Sequence, residues 1–198
     1  CIIYQIIEGM KYAHFQRVIH RHLKPTNILI CSNNIIKISD FGIEKLFSLE
    51  DQNQYCDSGY QKFMAPEIID ESEYDEKCDV YSFGVLTFYI LSSGKIPKIK
   101  VSEILQGKKA KIPESFTEFA TQLISNCWNF NANDRPSFDH ILKDFEKNSC
   151  NLIKLKKSEC NEVKNFIKKH KEKIPVYGSR SLGSKSKSSS KLPPLNKK

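Results

Sequence analysis

The sequence predicts a mainly α-helical lobe carrying one small β-hairpin, and three observations lead there. Apolar residues recur at helical spacing across residues 2–13, two short β-branched runs flank a polar turn at 31–34, and residues 80–91 are apolar on nearly every side. Long, strongly patterned helices around a single hairpin make a helical lobe and leave little room for a larger sheet.

Taken in order, Ile2, Ile3, Ile6, Ile7, Met10 and Ala13 recur at intervals of three and four, which gives one apolar face to a helix ending near His14. The runs "ILI" at 28–30 and "IIKI" at 35–38 have the β-branched content of strands, and the intervening "CSNN" suits a turn. Residues 40–67 show no clear periodicity. The run "VYSFGVLTFYIL" at 80–91 is about two-thirds of the length a membrane span needs, so it predicts a helix packed from all directions inside a soluble core. A short helix is expected near 101–106. Ser115 with Glu118 reads as a capping box opening a helix that carries Phe119, Leu123 and Cys127. Just after Pro136, the residues Phe138, Ile141, Leu142 and Phe145 give a last amphipathic helix.

A chain of 198 residues holds one domain of about 150 residues and a tail. Charge marks the boundary between them. Residues 151–198 carry 14 Lys+Arg against 3 Asp+Glu, whereas residues 1–150 carry 17 against 20, so the basic character belongs to the tail. The domain is therefore set at 1–149, and 150–198 is expected to be a basic, Lys/Ser-rich and largely disordered extension. Within it, Leu152, Leu155, Val163 and Phe166 allow a basic helix of marginal stability. Such a tail would meet an anionic surface or serve nuclear targeting, and a merely solvated extension is the plainer reading. No motif for specific nucleic-acid recognition is present.

The seven cysteines, at 1, 31, 56, 78, 127, 150 and 160, form no CxxC pair and no group with His at metal-ligand spacing. Neither a zinc site nor a disulfide framework is indicated, so a reducing compartment is expected, the cytoplasm, with the nucleus open through the tail. The opening string "CIIYQIIEGMKYAH" lacks a starting Met, a basic n-region and a cleavage site, and reads as the interior of something longer. No transmembrane segment is expected.

Five strings carry chemistry: "HRHLKPTN" at 20–27, "DFG" at 40–42, "MAPE" at 64–67, "DVYSFGV" at 79–85 and "CWNFNANDRPSF" at 127–138. Taken singly, an Asp-Phe-Gly is an ordinary turn, a lone Lys a solvated one, and Arg-Pro-Ser a helix start. In this order over some 150 residues, the chain resembles the C-terminal lobe of a eukaryotic protein kinase, most like the tyrosine-kinase-like group of serine/threonine kinases.

The resemblance implies ATP and Mg²⁺ as cofactors and a protein substrate or protein partner. Phosphoryl transfer asks a protein mainly to position groups and supply positive charge. By resemblance, Asp40 and Asn27 would hold the metal ions, as oxygen ligands suited to a hard cation. Lys24 would neutralise the phosphoryl group in transit, and Leu29 would lie under the adenine. His20 and Phe41 would stack, with Gly42 permitting the turn that follows. Asp79 would fix the backbone of the catalytic loop, and Glu67 with Arg135 would form a buried ion pair. Ser48, Tyr55 and Ser58 are candidate phosphate acceptors in the activation segment, and Arg21 is the basic residue that would receive the phosphate.

Two departures weigh against full activity. His22 stands where the family carries the Asp that orients or accepts the proton of the substrate hydroxyl, and Tyr60 fills the place of a Thr that bonds to that Asp and to the Lys. Loss of a positioned base costs on the order of 10²- to 10⁴-fold in rate, roughly 3 to 5 kcal/mol. In addition, the 198 residues contain no GxGxxG loop, no VAIK-type Lys and no partner Glu, so the N-lobe is expected to be absent from this chain. Three functions stay open: a partial, catalytically impaired Ser/Thr kinase domain that needs an N-lobe, a pseudokinase scaffold, and a non-functional truncated fragment.

Overall fold

The computed structural model describes residues 1–41 and 60–173. Gly42, Ser48, Tyr55 and Ser58 lie outside the described residues. Helix α1, Ile2–Phe15, buries the stripe read from the sequence, with Ile3, Ile6, Ile7, Met10 and Ala13 all inward. Two strands follow, β1 (Ile28–Ile30) and β2 (Ile36–Ile38), antiparallel with Leu29 opposite Lys37. The turn between them uses left-handed backbone at Asn33 and Asn34, φ +61° and +58°, which Asn tolerates better than most residues. Gln5 ties the hairpin to α1 by donating to the Asn34 carbonyl at 2.9 Å and accepting from the Ile36 amide at 3.2 Å. Gly9 lets the helix come this close, since a Cβ there would lie 2.9 Å from Ile38 Cδ1.

After the short α2, Pro66–Ile69, comes α3, Lys77–Leu91, which is buried continuously from Cys78 to Phe88. This is the helix expected to be packed from all directions. Next are α4 (Val101–Ile104), α5 (Glu118–Cys127) and α6 (Phe138–Asn148). Helix α5 packs on α3, and α6 packs on α1. The cap of α5 is Thr117, whose hydroxyl accepts from the Ala120 amide, so the expected Ser115–Glu118 box is displaced by two residues. Thr117 is better placed because its own hydroxyl also donates to the Leu152 carbonyl at 3.0 Å. Ser137 caps α6, directly after Pro136.

Two sequence expectations need correction. Residues 150–173 are not loose extension: α7, Lys157–Lys173, packs on the body, with Ile167 buried and Phe166 edge-on to Tyr4 at 6.4 Å between ring centroids. Cys150 and Cys160 are joined as a disulfide with their Cα atoms 5.3 Å apart. The chain reversal between α6 and α7 brings together two positions ten residues apart, a proximity that no short cysteine motif announces. A bonded pair removes one ground for expecting a reducing compartment. Among the described residues, no helix is long and apolar enough to cross a membrane.

The α3–α5 contact is tight enough to test. A Cβ at Gly84 would lie 2.7 Å from Cys127 Cβ and 2.8 Å from Trp128 Cδ1. Gly84→Ala gains about 1 kcal/mol in helix propensity but overpacks at a cost of about 1–3 kcal/mol. The expected net result is a lower urea midpoint, whereas a raised midpoint would mean that the two helices separate easily.

Candidate functional site

The site begins with a carboxylate that has no exposure at all. Asp79, in the first turn of α3, accepts from the His20 amide at 2.8 Å and the Arg21 amide at 2.7 Å, and its Oδ2 lies 2.9 Å from His14 Nε2. These bonds hold residues 20–22 against the core. Arg21 takes left-handed backbone, φ +67°, which turns the chain so that successive amides face one carboxylate. Its guanidinium lies over the Tyr74 ring, 5.3 Å from the centroid.

From this anchor the loop is built inward. His20 is fully buried, stacks on Phe41 with ring centroids 4.4 Å apart, and accepts from the His22 amide through Nδ1 at 3.1 Å. Burial lowers its pKa, only partly opposed by the negative charge of Asp79. Asn27, also buried, donates through Nδ2 to the His22 carbonyl at 2.8 Å. Ser39 connects the two expected metal ligands: its amide donates to the Asn27 carbonyl at 3.0 Å, and its hydroxyl donates to Asp40 Oδ2 at 3.3 Å. Asp40 itself adopts φ +63°.

His22 is half-buried between these groups. Its pKa is lowered to about 4, first by burial, then by the positive charge of Lys24 and by His20, with Asp40 opposing. At neutral pH the imidazole is therefore uncharged. The Lys24 carbonyl accepts from the Asn27 amide at 3.1 Å, closing the short turn Pro25–Asn27. Leu29, on β1, is 48% exposed beside the loop, so an apolar face stands open next to the polar groups. Tyr60 opens a short turn, Tyr60–Phe63.

The oxygen donors suit a hard cation. Nδ2 of Asn27 is committed to the His22 carbonyl, and its Oδ1, which accepts from the Thr26 hydroxyl at 3.3 Å and has a second lone pair, is the atom that could serve as ligand; Ser39 keeps Asn27 and the Asp40 carboxylate on neighbouring backbone. A divalent cation held there by Asn27 and Asp40 would be bound through oxygen alone.

Behind the loop lies a second buried ionic group. The Arg135 guanidinium donates to both Glu67 oxygens, at 2.5 and 2.9 Å, and to the carbonyls of Lys77, Asn129 and Phe130 at 3.0, 2.7 and 3.1 Å. All five of its N–H groups are used. Lys77 answers by donating to the Arg135 carbonyl, and the guanidinium sits over the Tyr81 ring. Sequence reasoning named Glu67, Asp79 and Arg135 but missed His14, Ser39 and Lys77. His14 had a signal, a polar residue closing an apolar-periodic helix. The other two act next to their better-known neighbours and give none.

The geometry is met again in comparison with known proteins. The family model "Protein tyrosine and serine/threonine kinase" matches residues 1–145. The chain is 36% identical over 149 residues to Vascular endothelial growth factor receptor 1 of Gallus gallus, covering 71% of this chain and 11% of that protein. It is 34% identical over 185 residues to Mitogen-activated protein kinase kinase kinase 12 of Rattus norvegicus, covering 87% of this chain and 20% of the relative. To Serine/threonine-protein kinase STY46 of Arabidopsis thaliana it is 30% identical over 149 residues, covering 72% and 26%. The chain thus spans well under two thirds of each of these relatives.

Two measurements check the electrostatics. Glu67→Ala strands a guanidinium that is 1% exposed, and should cost about 3–5 kcal/mol in urea unfolding. The double substitution Glu67→Leu with Arg135→Met removes both charges but also takes the donor from the carbonyls of Lys77, Asn129 and Phe130, so it should not restore the native midpoint. For His22, the folded state holds its proton less readily than the unfolded one, whose pKa is near 6.5. Stability from this source is present at neutral pH and is lost as pH falls from 6.5 toward about 4. His22→Gln should therefore flatten the decline in urea midpoint between about pH 7 and pH 5. An unchanged slope would assign the decline to other groups.

Proposed function

Because the chain belongs to the protein tyrosine and serine/threonine kinase family, we propose that it is the C-lobe of a Ser/Thr-type protein phosphotransferase domain whose chemical step is impaired at His22. The observation that carries this reading is the neutral imidazole of His22 at the base position, held beside Lys24 in a loop that is otherwise fully anchored. When bound, magnesium–ATP would supply the transferable phosphoryl group and much of the charge neutralisation. Asn27 and Asp40 would hold the metal, Lys24 would lie along the transferring oxygens, and Leu29 would offer apolar contact to the base, with the other wall of the pocket coming from an N-lobe.

His22 could take a proton from a substrate hydroxyl, since a neutral imidazole has a free electron pair. However, a pKa of about 4 makes it a weak base, and it lacks the negative charge that would draw in and orient the hydroxyl. The expected result is slow transfer. A second reading, a binding module without turnover, is favoured by the same feature: Asp79, Glu67 and Arg135 keep the frame in place whether or not the base works.

The test is phosphate transfer to a generic protein substrate by the chain within a complete kinase domain, comparing His22, His22→Asp and an Asp40→Ala background. His22→Asp is expected to raise the rate by about 10²- to 10⁴-fold, with the native residue slightly above background. Native activity equal to background would leave the binding module. A native rate matching His22→Asp would overturn the impairment.

A further inference from the structure

We propose that α7 and the recess between it and the end of α6 form a docking surface for an anionic lipid bilayer. The helix has two faces. Cys160, Val163, Phe166, Ile167 and His170 turn inward, with Phe166 and His170 stacked at 4.5 Å and both rings edge-on to Tyr4 of α1. Lys157, Lys164, Lys168 and Lys171 recur at intervals of seven, four and three, which puts them on one edge of the helix, and all four are exposed. Glu159 and Glu162 fall on the other side, and only Glu172 lies near the row. The row is about 21 Å long on a straight element.

The row is fixed rather than floating. The Cys150–Cys160 disulfide ties the first turns of α7 to the end of α6, and Lys171 reaches Glu146 of α6 at 2.6 Å. Between the two helices an open recess of about 280 Å³ is lined by Glu146, Ser149, Lys164, Ile167, Lys168 and Lys171. It combines a hydroxyl, three ammonium groups and one carboxylate already paired with Lys171. That is the complement of a phosphate-bearing headgroup, with Lys164 and Lys168 as the cations nearest to it.

The choice of a bilayer over nucleic acid follows from side-chain type. Every basic residue from 150 to 173 is Lys or His, with no Arg to form the two-pronged bonds that phosphate and base recognition favours. The aromatic rings of the helix are turned into the body, so none is offered to stack on a base. Ammonium groups in a straight row suit a plane of diffuse negative charge, where each Lys near the surface adds independently. Ile153, four residues before the helix, is 48% exposed and adds an apolar side chain to this part of the surface.

The experiment is vesicle co-sedimentation of the full 198-residue chain with its disulfide intact, so that residues 174–198 contribute equally throughout. Vesicles are phosphatidylcholine alone or with about 30% phosphatidylserine, in roughly 0.1 M salt. The native chain should bind only the anionic vesicles. Lys157→Glu, Lys164→Glu and Lys168→Glu together should weaken binding at least tenfold, and the milder Lys→Gln set should weaken it in the same direction if the first variant fails to fold. A control of equal charge change, Lys95→Glu, Lys98→Glu and Lys100→Glu, should weaken it much less. Equal losses in the two sets would overturn the proposal in favour of net charge alone. Binding to a duplex DNA but not to anionic vesicles would overturn it in favour of nucleic acid.

Discussion

The Asp79 carboxylate is the constraint on which the rest of the structure depends. A carboxylate with no exposure costs several kcal/mol to bury unless donors surround it. Here the donors come from elsewhere in the chain: two backbone amides of residues 20 and 21, and the ring of His14 at the end of α1. One side chain in α3 therefore sets where α1 ends, how the loop turns and which way His20 faces. From His20 the order passes on, through its ring nitrogen to the His22 amide and through its stacked face to Phe41. Asn27 then closes the loop on itself through the His22 carbonyl.

None of these contacts uses the His22 side chain. The His22 amide donates to the His20 ring and its carbonyl accepts from the Asn27 side chain, so residue 22 is tied into the loop through its backbone. Arg135 likewise spends its five donors on Glu67 and three carbonyls, none of them in the loop 20–27. Backbone contacts of the kind made at residue 22 do not depend on which side chain stands there. Retention of the frame is therefore evidence about family and says little about turnover.

How much of this was legible in the sequence depended on which atoms carry each interaction. Helices α1 and α6 were readable because apolar side chains at three- and four-residue spacing are what buries them, and α3 because its run is apolar on nearly every side. The Glu67–Arg135 pair and the role of Asp79 were readable only through the ordered motifs, because sequence shows charges but not their partners. The network around Asp79 is made mostly of backbone N–H groups, which every residue has, so no pattern marks them. Thr117 won the cap of α5 over Ser115 through a second bond to Leu152, a contact 35 residues away. Helix α7 was read as marginal because its few inward residues are diluted among lysines. What holds it is the disulfide and a ring cluster with Tyr4, both long-range or invisible to periodicity.

The exchange at residue 22 has a consequence that separates binding from chemistry. A carboxylate there would place a negative charge close to Lys24 and Asp40; a neutral imidazole places none. The loop is then one charge more positive than it would be with a carboxylate at residue 22, in a half-buried setting where such a difference is weakly screened. Under the proposed function anionic phosphates would gain from that difference, because they would feel no repulsion from a carboxylate at residue 22. An incoming hydroxyl would, under the same function, lose, because the group placed to orient it and receive its proton would be a weak base. Under the proposed function, the same substitution that slows transfer also favours holding the nucleotide, so that affinity for magnesium–ATP and the rate of transfer become independent properties of this site.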